Sequence, residues 1–186
     1  NVYVVDASSR VLVFATPATD PEIDLASGLV LHYTFDDEQN LGWDSSGQAQ
    51  HGTVEGVAYA ANGRLGGAGM FAGQGQKITV DHLREVNGAY QLSWGAWVLP
   101  QGNNLYGVMG KTIAGNESFY LHVRPGQALA QAYVVPPSRA EERYAANFGA
   151  MQTGKWQHVM GTYDGHEVRL YLDGQLVHTN YYPDLQ

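Results

Sequence analysis

Residues 154–178, GKWQHVMGTYDGHEVRLYLDGQLVH, alternate apolar and polar positions over three runs separated by two Asp-Gly pairs. Trp156, His158, Met160 and Tyr163 mark the first run, Val168, Leu170 and Leu172 the second, and Leu176 and His178 the third. A period of two belongs to a strand with one buried face. Asp164-Gly165 and Asp173-Gly174 supply hairpin turns, because Gly accepts a positive φ without a clash and Asp hydrogen-bonds its own turn. The spacing therefore predicts a meander of three strands. Similar patterning predicts strands near residues 29–35, 53–59, 68–72, 76–81, 90–99, 106–112, 118–124 and 128–135, besides 155–163, 167–173 and 175–181. No helical period is visible; residues 139–144, after Pro136-Pro137, read either as a helical turn or as an exposed loop. Residues 1–14 read as a hairpin, with Val2 and Val4 on one arm, a turn over residues 6–9, and Val11 and Val13 on the other. Pro17, Pro21 and three acids make residues 15–27 a linker by composition.

Composition adds limits to this picture. The chain has 186 residues, 44% of them hydrophobic and 11% aromatic, which is enough for one sandwich with a real core. Its 23 glycines suit many turns. The absence of cysteine excludes disulfides and thiolate metal sites. No run of 18 apolar residues is present, so no membrane-spanning helix is expected. The net charge of −8 is unevenly spread: residues 1–60 hold nine acids against Arg10 alone, while the remainder balances. An acidic third opposes a nucleic-acid partner, which needs a basic patch, and suits either a hard cation or plain solvation.

Several blocks carry a family resemblance. Trp156, His158-Val159, residues 161–165 (GTYDG) and residues 170–174 (LYLDG) resemble the signature of LamG-like jelly-roll domains. Residues 29–37 (LVLHYTFDD), 44–52 (DSSGQAQHG), 69–80 (GMFAGQGQKITV) and 92–100 (LSWGAWVLP) extend it in the family's order. The resemblance implies an all-β, two-sheet antiparallel jelly-roll sandwich of the concanavalin-like kind over residues 28–186. It also implies a further C-terminal strand that this chain lacks, so the chain is expected to be a fragment, or to complete the sheet beside residues 29–35 with another segment such as 1–14. Residues 1–14 also resemble one strand pair of an NHL-type propeller, which makes them either a ribbon on the sandwich or the end of a preceding domain.

By the same resemblance, the stretch from Asp36 to His51 is where such domains hold a structural calcium, Ca2+. Asp36 and Asp44 would be its carboxylate ligands, with Gln48 and the backbone of His51 as carbonyl donors. The residues by themselves allow a second reading, in which Asp44 caps its own loop as an Asx-turn. Trp94, Trp97 and Trp156 lie in strand patterns and are expected in the core. Trp43, Tyr106, Tyr144, Tyr181 and Tyr182 are the ligand-binding candidates, since a ring at a loop or rim can stack on the apolar face of a sugar. His158 and His166 are expected to be structural.

No Glu-x-Asp-x-x-Glu or Glu-x-Asp-x-Glu segment occurs, and no Gly-x-Ser-x-Gly elbow, phosphate loop or metalloprotease histidine pair is present. A retaining glycosidase needs two carboxylates on one face of its cleft. Asp36-Asp37-Glu38 and Glu141-Glu142 are adjacent in sequence and would point to opposite faces of a strand. The chain is therefore expected to be a noncatalytic recognition or adhesion module of a larger extracellular or periplasmic protein. Its expected partners are carbohydrate or glycoconjugate and its own neighbouring domains. The alternative is a structural spacer without a ligand.

Overall fold

The computed structural model describes residues 2–4, 11–14, 28–73, 75–81, 83–86, 89, 91–113, 116–127, 129–134, 144–149 and 151–182. Among them are fifteen strands: β1 (Val2–Val4), β2 (Val11–Phe14), β3 (Leu29–Tyr33), β4 (Thr53–Glu55), β5 (Ala58–Ala60), β6 (Ala68–Met70), β7 (Lys77–Val80), β8 (Leu92–Val98), β9 (Tyr106–Ile113), β10 (Asn116–Arg124), β11 (Leu129–Val134), β12 (Tyr144–Gly149), β13 (Gln157–Tyr163), β14 (Glu167–Leu172) and β15 (Gln175–Tyr181). A seven-stranded sheet runs β12-β11-β10-β9-β1-β7-β4, and a six-stranded sheet runs β15-β14-β13-β8-β2-β3. The pair β5-β6 stands apart from both. Among the described residues all pairings are antiparallel, and the only helical pieces are the short 3-10 turns Arg84–Val86 and Pro125–Gln127.

The predicted meander forms as β13-β14-β15, with Gly165 at φ 96° and Gly174 at φ 79°. Asp164 accepts the backbone N–H groups of His166 (3.1 Å) and Glu167 (3.0 Å), and so supplies the acceptors its turn lacks. Asp173 reaches across instead, accepting the N–H of His158 at 2.8 Å and tying the second turn to β13.

Of the residues that marked the run over β13, Tyr163 faces inward and His158 and Met160 do not. Val159, Gly161 and Tyr163 are buried, whereas His158, Met160 and Thr162 lie on the outer face, half-buried. The reason is the fully buried Trp94. Gly161 is its register partner, and a Cβ on Gly161 would come within 2.8 Å of the indole and 2.6 Å of Ala132 in the other sheet. Trp94 packs tilted on Phe119 at 5.6 Å and donates its Nε1–H to the carbonyl of Tyr120 at 3.1 Å. One side chain from β8 thus locks onto β10 across the sandwich. Trp97 and Trp156 are half-buried and not core residues. Trp97 faces outward, where the Arg64 guanidinium lies 4.6 Å above its ring.

The two strands described within residues 1–14 do not pair with each other as the expected hairpin would, and the expected turn at 6–9 lies outside the described residues. β1 pairs with β7 and β9, whereas β2 pairs with β3 and β8 in the other sheet. Alternation located both strands and could not choose their partners. The expected strand over 53–59 is two strands, interrupted at Gly56 with φ 68°. Tyr144 opens β12, where a helical turn or loop was expected; residues 139–143 and the expected linker at 15–27 lie outside the described residues.

β3 is the outermost strand of its sheet and pairs on one side with β2. Just beyond it Phe35 takes φ 58°, a conformation that costs a bulky residue about 1–2 kcal/mol. Burial of its ring against Tyr33, at 6.2 Å, offsets that cost. The turn throws residues 36–52 across from the edge of one sheet to β4, the edge of the other.

Candidate functional site

Asp44 organises this crossing segment. Its carboxylate is buried and accepts four hydrogen bonds. Oδ1 takes the N–H groups of His32 (2.9 Å) and Ser46 (2.9 Å). Oδ2 takes the Ser46 hydroxyl (2.7 Å) and the Gln50 N–H (2.9 Å). The His32 carbonyl is satisfied in turn by the N–H of Ser45 at 2.8 Å. Both outward backbone groups of His32 on the β3 edge are thereby occupied, which blunts an edge that would otherwise invite pairing. Burial, the largest single influence, works against ionisation of Asp44, but the hydrogen bonds from Ser46, His32 and Gln50 together hold its carboxyl below the ordinary range. Beneath the loop, buried Tyr33 donates its hydroxyl to the Gln50 carbonyl at 3.0 Å. Burial and then the nearby Asp44 charge push that phenol's ionisation far up, so it stays a neutral donor.

The same loop presents an aromatic platform. Trp43 is 56% exposed, yet its indole stacks on the His51 imidazole, with centroids 4.1 Å apart and planes 24° apart. His51 Nδ1 accepts the Asp44 N–H at 3.1 Å, which leaves the proton of a neutral ring on Nε2. Backbone bonds from Trp43 to Asn40 (2.9 Å) and from Gly52 to Gly42 (2.8 Å) close the segment. A side chain on Gly42 would run into the Gly52 carbonyl, so the two backbone stretches can touch only because Gly stands there.

The remaining expected residues are dispersed. Asp36 is exposed and accepts the N–H of Gly67 at 3.0 Å, which anchors the β5-β6 hairpin. Gln48 is exposed on the Asp44 loop, its N–H on the Ser46 hydroxyl at 3.1 Å. Tyr181 is 61% exposed on β15, at the far edge of the six-stranded sheet from Trp43. Five strand spacings, about 24 Å, separate those edges. Tyr182 is half-buried and fixed, its hydroxyl accepting from Asn180 at 2.7 Å and its N–H donating to His166 at 2.6 Å. Tyr106 is half-buried against the core at the start of β9, and Tyr144 pairs in register with Val134. The five aromatic candidates thus do not form one surface. Trp43 comes together with another expected residue, His51, and lies apart from Tyr181.

One aromatic pair was missed by sequence reasoning. Phe119, Leu121 and Val123 of β10 point inward, so Tyr120 and His122 face outward, with their rings 4.1 Å apart. They lie opposite Gly110 and Gly107, and a Cβ on Gly110 would strike the Tyr120 ring. Alternation along residues 118–124 was the available signal; the two glycines that make room for the ring lie on another strand.

A family model described as the concanavalin A-like lectin/glucanases superfamily matches residues 72–185. Among curated proteins none matches the chain. Among solved structures, the chain is similar to domain 4 of AbnA, an extracellular arabinanase from Geobacillus stearothermophilus, in complex with arabinotriose. The two are 23% identical with a TM-score of 0.58, over 84% of this chain and 77% of that one, a likeness of fold.

Proposed function

We propose, for a chain that belongs to the concanavalin A-like lectin/glucanases superfamily, a noncatalytic role as a carbohydrate-binding domain of a larger extracellular protein, with the sugar received on the Trp43–His51 platform. The observation that carries this reading is an indole more than half exposed and yet held flat on an imidazole that is itself held by the Asp44 loop. Ordering a contact ring before the ligand arrives removes part of the entropic cost of binding. A flat, exposed ring face suits a sugar, which carries C–H faces as well as hydroxyl edges.

A noncatalytic role agrees with the state of the nearby acids. A glycosidase acid must hold its proton near neutral pH, which takes a raised pKa. Asp37 is held low, chiefly by the Asn40 side chain and then by the Gln39 N–H, and Asp44 is low through its own hydrogen bonds. Asp36 is committed to Gly67. For the extracellular setting, the support is the extracellular arabinanase whose domain shares this fold. Among the described residues no helix is long and apolar enough to cross a membrane.

Arabino-oligosaccharides are the first ligands to try, followed by a wider glycan array, with affinities read by calorimetry. Trp43→Ala should weaken binding at least about tenfold, or about 1.4 kcal/mol, with little change in melting temperature. Tyr181→Ala should bind as the parent does. Loss on Tyr120→Ala with Trp43→Ala unaffected would move the site to the outer face of the seven-stranded sheet. A parent chain with no saturable glycan binding would overturn the reading in favour of a spacer.

A further inference from the structure

The calcium expected near Asp36–His51 can be tested against the donors present. Calcium takes six to eight oxygen ligands. A carboxylate has about four acceptor sites, and in Asp44 each oxygen already receives two N–H or O–H donors. Those donors aim their positive ends at the place a cation would occupy. Of the other expected ligands, Asp36 is bonded to the β5-β6 hairpin, and Gln48 points no described contact toward Asp44. Among the described residues no three His, Asp or Glu side chains gather around a common metal position. The residues do not fit calcium in this arrangement.

We infer that the Asp44 carboxylate takes the place of a bound cation, so that its own four hydrogen bonds order the crossing loop, seal the β3 edge and position the Trp43–His51 platform without metal. Asp44 is thus a positioning residue: it acts on the platform through the His51 contact at its N–H and through the loop its side chain closes. The arrangement is self-consistent, because a buried anion with every acceptor site filled needs no counter-ion to remain ionised. The consequence for ligand binding rests on the carbohydrate reading above; the consequence for loop order does not.

The test is amide hydrogen exchange on the full chain without sugar, in millimolar calcium and in chelator, with metal content measured on the same samples. Protection at His32, Ser46 and Gln50 should be equal in both conditions, with no calcium retained. Asp44→Ala, which removes every one of these acceptors, should lower that protection at least tenfold while amides of β8 and β13 keep theirs. Should that variant not fold, Ser46→Ala removes one donor and the acceptor of Gln48, and should lower protection at Gln48 and Gln50 several-fold, again without metal dependence. About one retained calcium per chain, with protection that appears only in its presence, would overturn the inference. Because no sugar is used, failure of the carbohydrate reading leaves this result untouched and shows only in the Trp43→Ala titration.

Discussion

Replacing Trp94 by alanine should lower the melting temperature by about 10 °C. Large-to-small substitutions of a buried aromatic cost about 3–5 kcal/mol, and a domain of this size loses roughly 2–4 °C per kcal/mol. The site has little means of collapsing to fill the void. Trp94 is fully buried, its ring lies over Gly161, and Phe119 packs on it from the facing sheet. The substitution also deprives the Tyr120 carbonyl of the indole N–H. Thermal unfolding followed by circular dichroism checks this. A fall of only a degree or two would mean that Phe119 and its neighbours repack, and that the indole is not the tie between the sheets.

Asp44→Ala should cost about 3 kcal/mol at neutral pH, because three backbone N–H groups and one hydroxyl lose an acceptor in a largely buried place. The pH dependence follows from the direction of the shift. The folded-state carboxyl titrates below its ordinary value of 3.8, so the unfolded chain binds the proton more readily. Its contribution to stability is therefore fully present above about pH 4 and is lost as pH falls through the depressed folded value. Urea unfolding of parent and variant at pH 7 and at pH 3 should show a gap between them that narrows in acid. A gap that stays constant would mean that folding leaves the proton affinity of the Asp44 carboxyl unchanged, so that its hydrogen bonds do not favour the ionised form.

The strands were legible because their cause is local. A period of two survives wherever one face is buried, and an Asp-Gly pair brings its own turn chemistry, as Asp164 and Gly165 show. The site was legible in part. Trp43, Asp44 and His51 were each singled out, and the Asx-turn was one of two readings for Asp44; the stacking of the His51 ring on Trp43 was not foreseen. Tyr120 and His122 were passed over because Gly107 and Gly110, which let Tyr120 lie flat, belong to the neighbouring strand.

By itself, then, the sequence determined the all-β class, most of the strand positions, the meander at residues 157–181, and the acidic, cysteine-free character of the chain. Tertiary structure decided which strands pair, which face of β13 is inside, and where the Asp44 oxygens point. The difference is one of range. Alternation and turn chemistry act between residues a few positions apart, whereas β1 and β2 choose opposite sheets, Trp94 selects Gly161, and His32 meets Asp44 only after distant segments have been brought together by the burial of the core.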